Sequence, residues 1–219
     1  GRIFLGGGGG AGEQDNTQGG AGGKGGGIIF LNTYGNITGT GTDSIVSNGN
    51  NGNSTNITGF NTGVDGAGGA GGGGTIILNA TGTVSGVYIQ ANGGVGGIQK
   101  VQFGPTEAEG PGGGGGGGYI AVSNGVPPQQ ALGGANGTTQ SSQLSEFLPH
   151  GATKGGPGLT GQTISKDTIT TSNVTLCAGN TATLTATLDG SIPATITWSN
   201  AAAGGPVVGT GYLVTTPVF

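Results

Sequence analysis

Few side chains in this 219-residue chain could do chemistry: one histidine, one cysteine, nine acids and five bases. The lone His150 rules out a histidine-based zinc cluster and permits at most one Ser-His-Asp arrangement. It follows Pro149 in a polar stretch and reads as a loop residue. Glu107 and Glu109 could pair as acid and base, but they flank a Pro- and Gly-rich loop and read as a solvated turn. Gly23-Lys24-Gly25 carries the Gly-Lys pair of a phosphate loop, yet Gly25 stands where that loop needs Ser or Thr for its metal. With 58 glycines, Gly-x-Gly-x-x-Gly arises by chance, and no β-α-β pattern surrounds it. The regular aspartates of calcium-binding repeats are also missing. The expectation is therefore no catalytic, cofactor or metal site, and no enzyme. Cys177 cannot form an internal disulfide. It reads either as bonded outside this chain or as a buried thiol.

The elements that would position any site are unusual. Glycine and proline together make 67 of the 219 residues, a level that suggests disorder when it has no period. Against disorder stand a hydrophobic content of 32% and a charged content of only 6%, since disordered chains are typically rich in charge. The net charge of −4 is scattered, and without a basic stripe nucleic acid is not an expected partner. No apolar run approaches a membrane span.

One design recurs. Gly1-Arg2-Ile3-Phe4-Leu5, Gly27-Ile28-Ile29-Phe30-Leu31, Gly74-Thr75-Ile76-Ile77-Leu78 and Gly118-Tyr119-Ile120-Ala121-Val122 match. Near-pure glycine runs precede the last three, over 19–27, 66–74 and 112–118. Asn36-Ile37-Thr38-Gly39 matches Thr83-Val84-Ser85-Gly86, and Asn-Gly pairs follow, read as corners with positive φ. Such repetition predicts stacked coils, each burying what its neighbour cannot bury alone. The expected fold is all-β: a glycine-rich parallel β-helix-like solenoid over 1–160, then a second module over 161–219. A flat antiparallel meander is the alternative. The glycine runs read as side-by-side polyglycine II helices, which only glycine allows to pack closely, or else as surface loops.

Composition changes near residue 160, where Gly155-Gly156-Pro157-Gly158 and Gly161 read as a linker. In Thr181 to Leu188 threonine and apolar residues alternate, the pattern of a strand with one wet face. Two more such strands follow, one carrying Trp198, and the spacing suggests a β-sandwich. Trp198 is expected in its core beside Leu184 and Leu188.

Val174-Thr175-Leu176-Cys177-Ala178-Gly179-Asn180, the alternating strand, and Ile196-Thr197-Trp198-Ser199-Asn200 together resemble an immunoglobulin-like repeat of large Bacteroidota surface proteins. These include gliding-motility adhesins exported by type IX secretion. The resemblance covers 165–219. It implies a partial immunoglobulin-like β-sandwich, an extracellular cell-surface location, and contact with the type IX secretion machinery during export. It also implies extracellular surfaces or glycans as targets. Strands usual in such repeats are missing before Phe219, and the chain holds no methionine, so the remainder of a larger parent polypeptide is a further expected partner. Cys177 precedes the strand instead of lying within it, so no antibody-type disulfide is carried over. The family's O-glycosylation pattern, Asp-(Ser/Thr)-apolar, occurs at Ser44 and Thr168. Asn-x-Ser/Thr occurs at Asn36, Asn53, Asn56, Asn79, Asn136 and Asn173, as chance permits in so Asn- and Thr-rich a chain. The expected function is a structural stalk or adhesive segment of such an adhesin. The alternative is a ligand-binding module for ice or glycan, to which the alternating Thr38, Thr40 and Thr42 point.

Overall fold

The computed structural model describes residues 3–15, 18–57, 65–101, 109–141, 151–164, 168–175, 177–189, 195–200 and 205–216. These form an all-β protein. The chain divides into two compact units, Gly1–Ile164 and Ser165–Phe219.

The first unit holds two parallel sheets. One has the order β1 (Ile28–Thr33), β3 (Thr75–Ala80), β5 (Tyr119–Val122), β7 (Leu159–Thr163). The other has the order β2 (Ile37–Val46), β4 (Val84–Gln90), β6 (Gln129–Gln130). Each repeat thus gives one strand to each sheet, and the parallel pairing excludes a meander. The register follows the sequence repeat: Ile28 pairs with Thr75 and Thr75 with Tyr119. In the second sheet Ile37 pairs with Val84, but Asp43 pairs with Val87. The three extra residues of β2 bulge out between Thr38 and Asp43. Between the sheets lies a small core of Ile76, Leu78, Val84, Ile89, Ile120 and Val122, all buried. At equivalent positions of the first repeat, Ile29, Ile37 and Ile45 are only partly buried against it.

The rest of each repeat is not sheet. A glycine-rich parallel β-helix-like solenoid was expected; the parallel strands form two separate sheets, and the extended glycine-rich runs bond laterally to one another. The N–H groups of Gly20, Gly23 and Gly26 donate to the carbonyls of Gly66, Gly69 and Gly72 at 2.8–2.9 Å. Those of Ala67, Ala70 and Gly73 donate to Gly110, Gly113 and Gly116 at 2.8–3.1 Å. A bond every third residue is the period of an extended threefold helix. The three glycine runs singled out in the sequence do lie side by side. They are joined by others less evident there: Asn50 and Asn53 bond to Lys24 and Ala21, Gly94 and Gly97 to Gly71 and Gly68, and Gly134 and Gly137 to Gly115 and Gly112. The physical reason is the missing side chain. Glycine has nothing to pack against a sheet face, so these runs pack backbone on backbone.

Three sequence readings change here. Ile3-Phe4-Leu5 is not a strand stacked on β1. Residues 6–12 run antiparallel to 20–26, with Gly6, Gly9 and Gly12 donating to Gly26, Gly23 and Gly20. A full repeat takes more than forty residues, and the 26 between these two segments leave room only for a reversal. The stretch over 155–161 is no linker: Gly155 and Gly158 donate to Gly134 and Ala131, and β7 follows as the fourth strand of its sheet. The Asn-Gly pairs are not corners either. Gly49, Gly93 and Gly137 sit inside extended runs, while positive φ falls at glycines such as Gly86 and Gly125.

In the second unit β9 (Thr183–Asp189) lies between β8 (Thr168–Thr171) and β12 (Leu213–Thr215), and β10 (Thr197–Ser199) pairs with β11 (Val207–Thr210), all antiparallel. The threonines of β9 are exposed and Ala186 is buried, so the alternating pattern sets the wet face. Trp198 departs from expectation. It is half-buried on the two-stranded sheet, and its indole N–H donates to the Gly211 carbonyl at 2.8 Å. The buried apolar side chains of this unit, among the described residues, are Ala182, Ala186 and Ile196.

Candidate functional surface

Threefold runs point a side chain the same way at every third residue. On one flank this yields rows of outward positions: Asn51 and Ser54, then Val95 and Ile98, then Leu132, Ala135 and Thr138. Val95, Ile98 and Leu132 are exposed. The polar members clip neighbouring runs together. Asn51 Oδ1 accepts from Val95 N–H at 2.7 Å, Ser54 Oγ from Ile98 N–H at 3.0 Å, and Asn92 Oδ1 from Leu132 N–H at 2.8 Å. The result is a regular surface of small polar and apolar groups on a backbone-bonded base. The sequence repeat did not reveal it, because it depends on a three-residue period within segments read as corners.

The threonines Thr38, Thr40 and Thr42 do not form such a surface. The bulge turns Thr40 onto Asp43, whose Oδ2 accepts from Thr40 N–H at 2.8 Å and Thr40 Oγ1 at 3.0 Å. These bonds hold the Asp43 carboxyl below its usual range, the backbone bond counting most. Next to it Ser44 is exposed in β2, open to a modifying enzyme. The Asp43-Ser44-Ile45 pattern predicts glycan on Ser44 in protein from its native source, and an unmodified Ser44 peptide by mass spectrometry would refute it. Thr168 opens β8, paired with Asp189, while Asp167 lies outside the described residues. Cys177 is a free, exposed thiol, not a buried one. His150 and Glu107 lie outside the described residues, and Lys24 sits within a glycine run with its carbonyl accepting from Asn50.

The fold gathers acids that looked scattered. Carboxylate oxygens of Glu13, Asp15 and Asp65 lie within 4.8 Å of one another. Asp65 is fully buried and ties the chain together locally, its oxygens accepting from the N–H groups of Asp15 at 3.2 Å and Gln18 at 2.5 Å. Partial desolvation, then the charges of Asp15, Glu109 and Asp65, raise the Glu13 carboxyl above its usual value. The two shifts act oppositely on stability. The contribution of Asp43 is present above its unfolded value and is lost as pH falls through its lower folded value. Glu13 disfavours folding when charged, and acidification through its raised value relieves this. Asp43→Asn is therefore expected to flatten the acid limb of a thermal-stability profile, and Glu13→Gln to raise stability at neutral pH. An unchanged profile in both variants would contradict these roles.

No protein-family model matches the chain, and neither a characterised protein nor a solved structure matches it.

Proposed function

We propose that this chain is a repeat-built structural protein, and more particularly a stalk or adhesive segment of a large secreted bacterial cell-surface adhesin. On this reading residues 1–164 form a short solenoid whose coils pass through β-strands and polyglycine II helices. Residues 165–219 form a partial immunoglobulin-like module, and the chain is extracellular and not an enzyme. The observation that carries the reading is the backbone hydrogen-bond pattern, which repeats from one unit to the next with little help from side chains. Rigidity supplied by the backbone leaves the outward side chains free to vary, and low charge suits a surface rod. Immunolabelling of intact source cells tests the proposal. Labelling without permeabilisation is expected, and antigen accessible only after lysis would overturn it.

A second reading, ligand binding to ice or glycan, is favoured by the regular rows of Asn51, Val95, Leu132 and their third-residue neighbours. Inhibition of ice recrystallisation, or glycan-array binding lost on Val95→Lys and Leu132→Lys, would select it.

A further inference from the structure

We propose that the outer flank of the glycine-run bundle binds an extended polypeptide carrying glycine at every third residue, laid antiparallel to the runs in a channel between 66–74 and 110–118. The case rests on a channel of the same kind that the chain fills itself. Residues 6–12 lie between the runs over 19–27 and 66–74. On one side the N–H groups of 6, 9 and 12 donate to the carbonyls of 26, 23 and 20. On the other side the carbonyls of 7 and 10 accept from the N–H groups of 72 and 69.

One repeat further along the chain, 20, 23 and 26 become 67, 70 and 73, and 69 and 72 become 113 and 116. The bundle keeps this equivalence. The N–H groups of 20, 23 and 26 donate to 66, 69 and 72, and those of 67, 70 and 73 donate to 110, 113 and 116. Among the described residues, the carbonyls of Ala67, Ala70 and Gly73 accept nothing, and the N–H groups of Gly113 and Gly116 find no acceptor. The groups left over are thus the counterparts of those that hold residues 6–12. An occupant offering only donors or only acceptors would not serve. A threefold chain running antiparallel offers both, with N–H groups at every third residue toward one run and carbonyls between them toward the other, as residues 6–12 do.

The filled channel also shows which residues an occupant can carry. A Cβ on Gly6, Gly9 or Gly12 would lie 2.0–2.2 Å from the carbonyl oxygens of 72, 69 and 66, so the donating positions must be glycine. A Cβ on Gly7 or Gly10 meets nothing within 4 Å, one on Gly8 meets Gly23 O only at 3.8 Å, and position 11 is already alanine. The pattern recognised is therefore Gly-x-x-Gly-x-x-Gly, with side chains allowed at x. Phe4 and Leu5 stand just ahead of that pattern in the filled channel. At the corresponding end of the open one lies an apolar cleft of about 460 Å³, lined by Phe4, Leu5, Tyr119 and Leu159. Phe4, Leu5 and Leu159 are more than half exposed. Two apolar residues ahead of the first glycine would enter this cleft and complete the motif. The inference does not depend on the cell-surface reading.

Titration of the chain with the peptide Phe-Leu-Gly-Ser-Ser-Gly-Ser-Ser-Gly, read by amide exchange, tests this. Saturable binding is expected, with the Gly113 and Gly116 amides exchanging about tenfold more slowly or better in the complex. The same peptide with alanine in place of each glycine is expected not to bind. A Cβ on Gly116 meets only Gly156 O, at 3.8 Å, so Gly116→Leu is expected to fold. Its counterpart Gly72 would set a Cβ 3.5 Å from Gly7 N in the filled channel, so the longer side chain at 116 would crowd an occupant and abolish binding. No binding up to the peptide's solubility limit would overturn the proposal. So would equal binding of the alanine peptide, unchanged exchange of both amides, or undiminished binding by a folded Gly116→Leu. Protection that grows with protein concentration in the absence of peptide would assign the channel to a second copy and overturn it too. The comparison of the two peptides on wild type holds even if Gly116→Leu fails to fold.

Discussion

Gly71→Val is expected to unfold the first unit or lower its stability by more than about 4 kcal/mol, beyond the range of ordinary substitutions. A Cβ at Gly71 would sit 2.0 Å from the Lys24 carbonyl oxygen, and one at Gly115 would sit 1.9 Å from Gly71 O. Both obstacles are backbone atoms, each held by its own hydrogen bond, and neither can swing aside as a flexible side chain could. Moving the run back would break the bonds that Gly71 makes to Asn50 and Gly94, at 2.9 Å each. Gly115→Val should behave alike. Gly156→Val is the control: nothing lies within 4 Å of a Cβ there, so a change of about 0.5 kcal/mol or less is expected. Thermal or urea unfolding of the three variants decides. Equal stability of all three would show that the runs are not close-packed.

The second large effect is expected at the core between the sheets. Leu78→Ala and Ile89→Ala should each cost about 2–5 kcal/mol, through lost burial and the cavity left behind. Both side chains are fully buried, and the core has few members with which to refill a gap. Leu31 pairs with Leu78 in the neighbouring strand but is 42% exposed, so Leu31→Ala should cost well under half as much. Denaturant unfolding monitored on the whole chain measures this gradient, and equal costs at Leu31 and Leu78 would contradict the burial described here.

Much of this architecture was legible because it repeats. The pairing of Ile28 with Thr75 and of Thr75 with Tyr119 follows the repeat spacing, since a parallel register joins like positions of successive units. The alternation in Thr183 to Leu188 likewise marks β9 and its wet face, because strand side chains point to opposite sides. Other features were hidden for identifiable reasons. Leu159-Thr160-Gly161-Gln162-Thr163 joins the first sheet with scarcely an apolar residue to announce it, because at an edge the backbone ladder suffices. Residues 3–5 imitate a strand, but the short connection to 20–26 turns them antiparallel. Trp198 was expected at a core that the described strands do not build around it; its indole instead finds the Gly211 carbonyl.

Side-chain type and period, which are local properties of the chain, were enough to indicate the all-β character and a repeat of short strands, and they left the three glycine runs as either side-by-side helices or surface loops. Which further runs join these three emerged only from the folded chain, as did the place of the Asn-Gly segments among them and the meeting of Glu13, Asp15 and Asp65. Glycine carries no side chain to encode a partner, so lateral choice among such runs comes from the lengths of the connections and the register of the flanking strands.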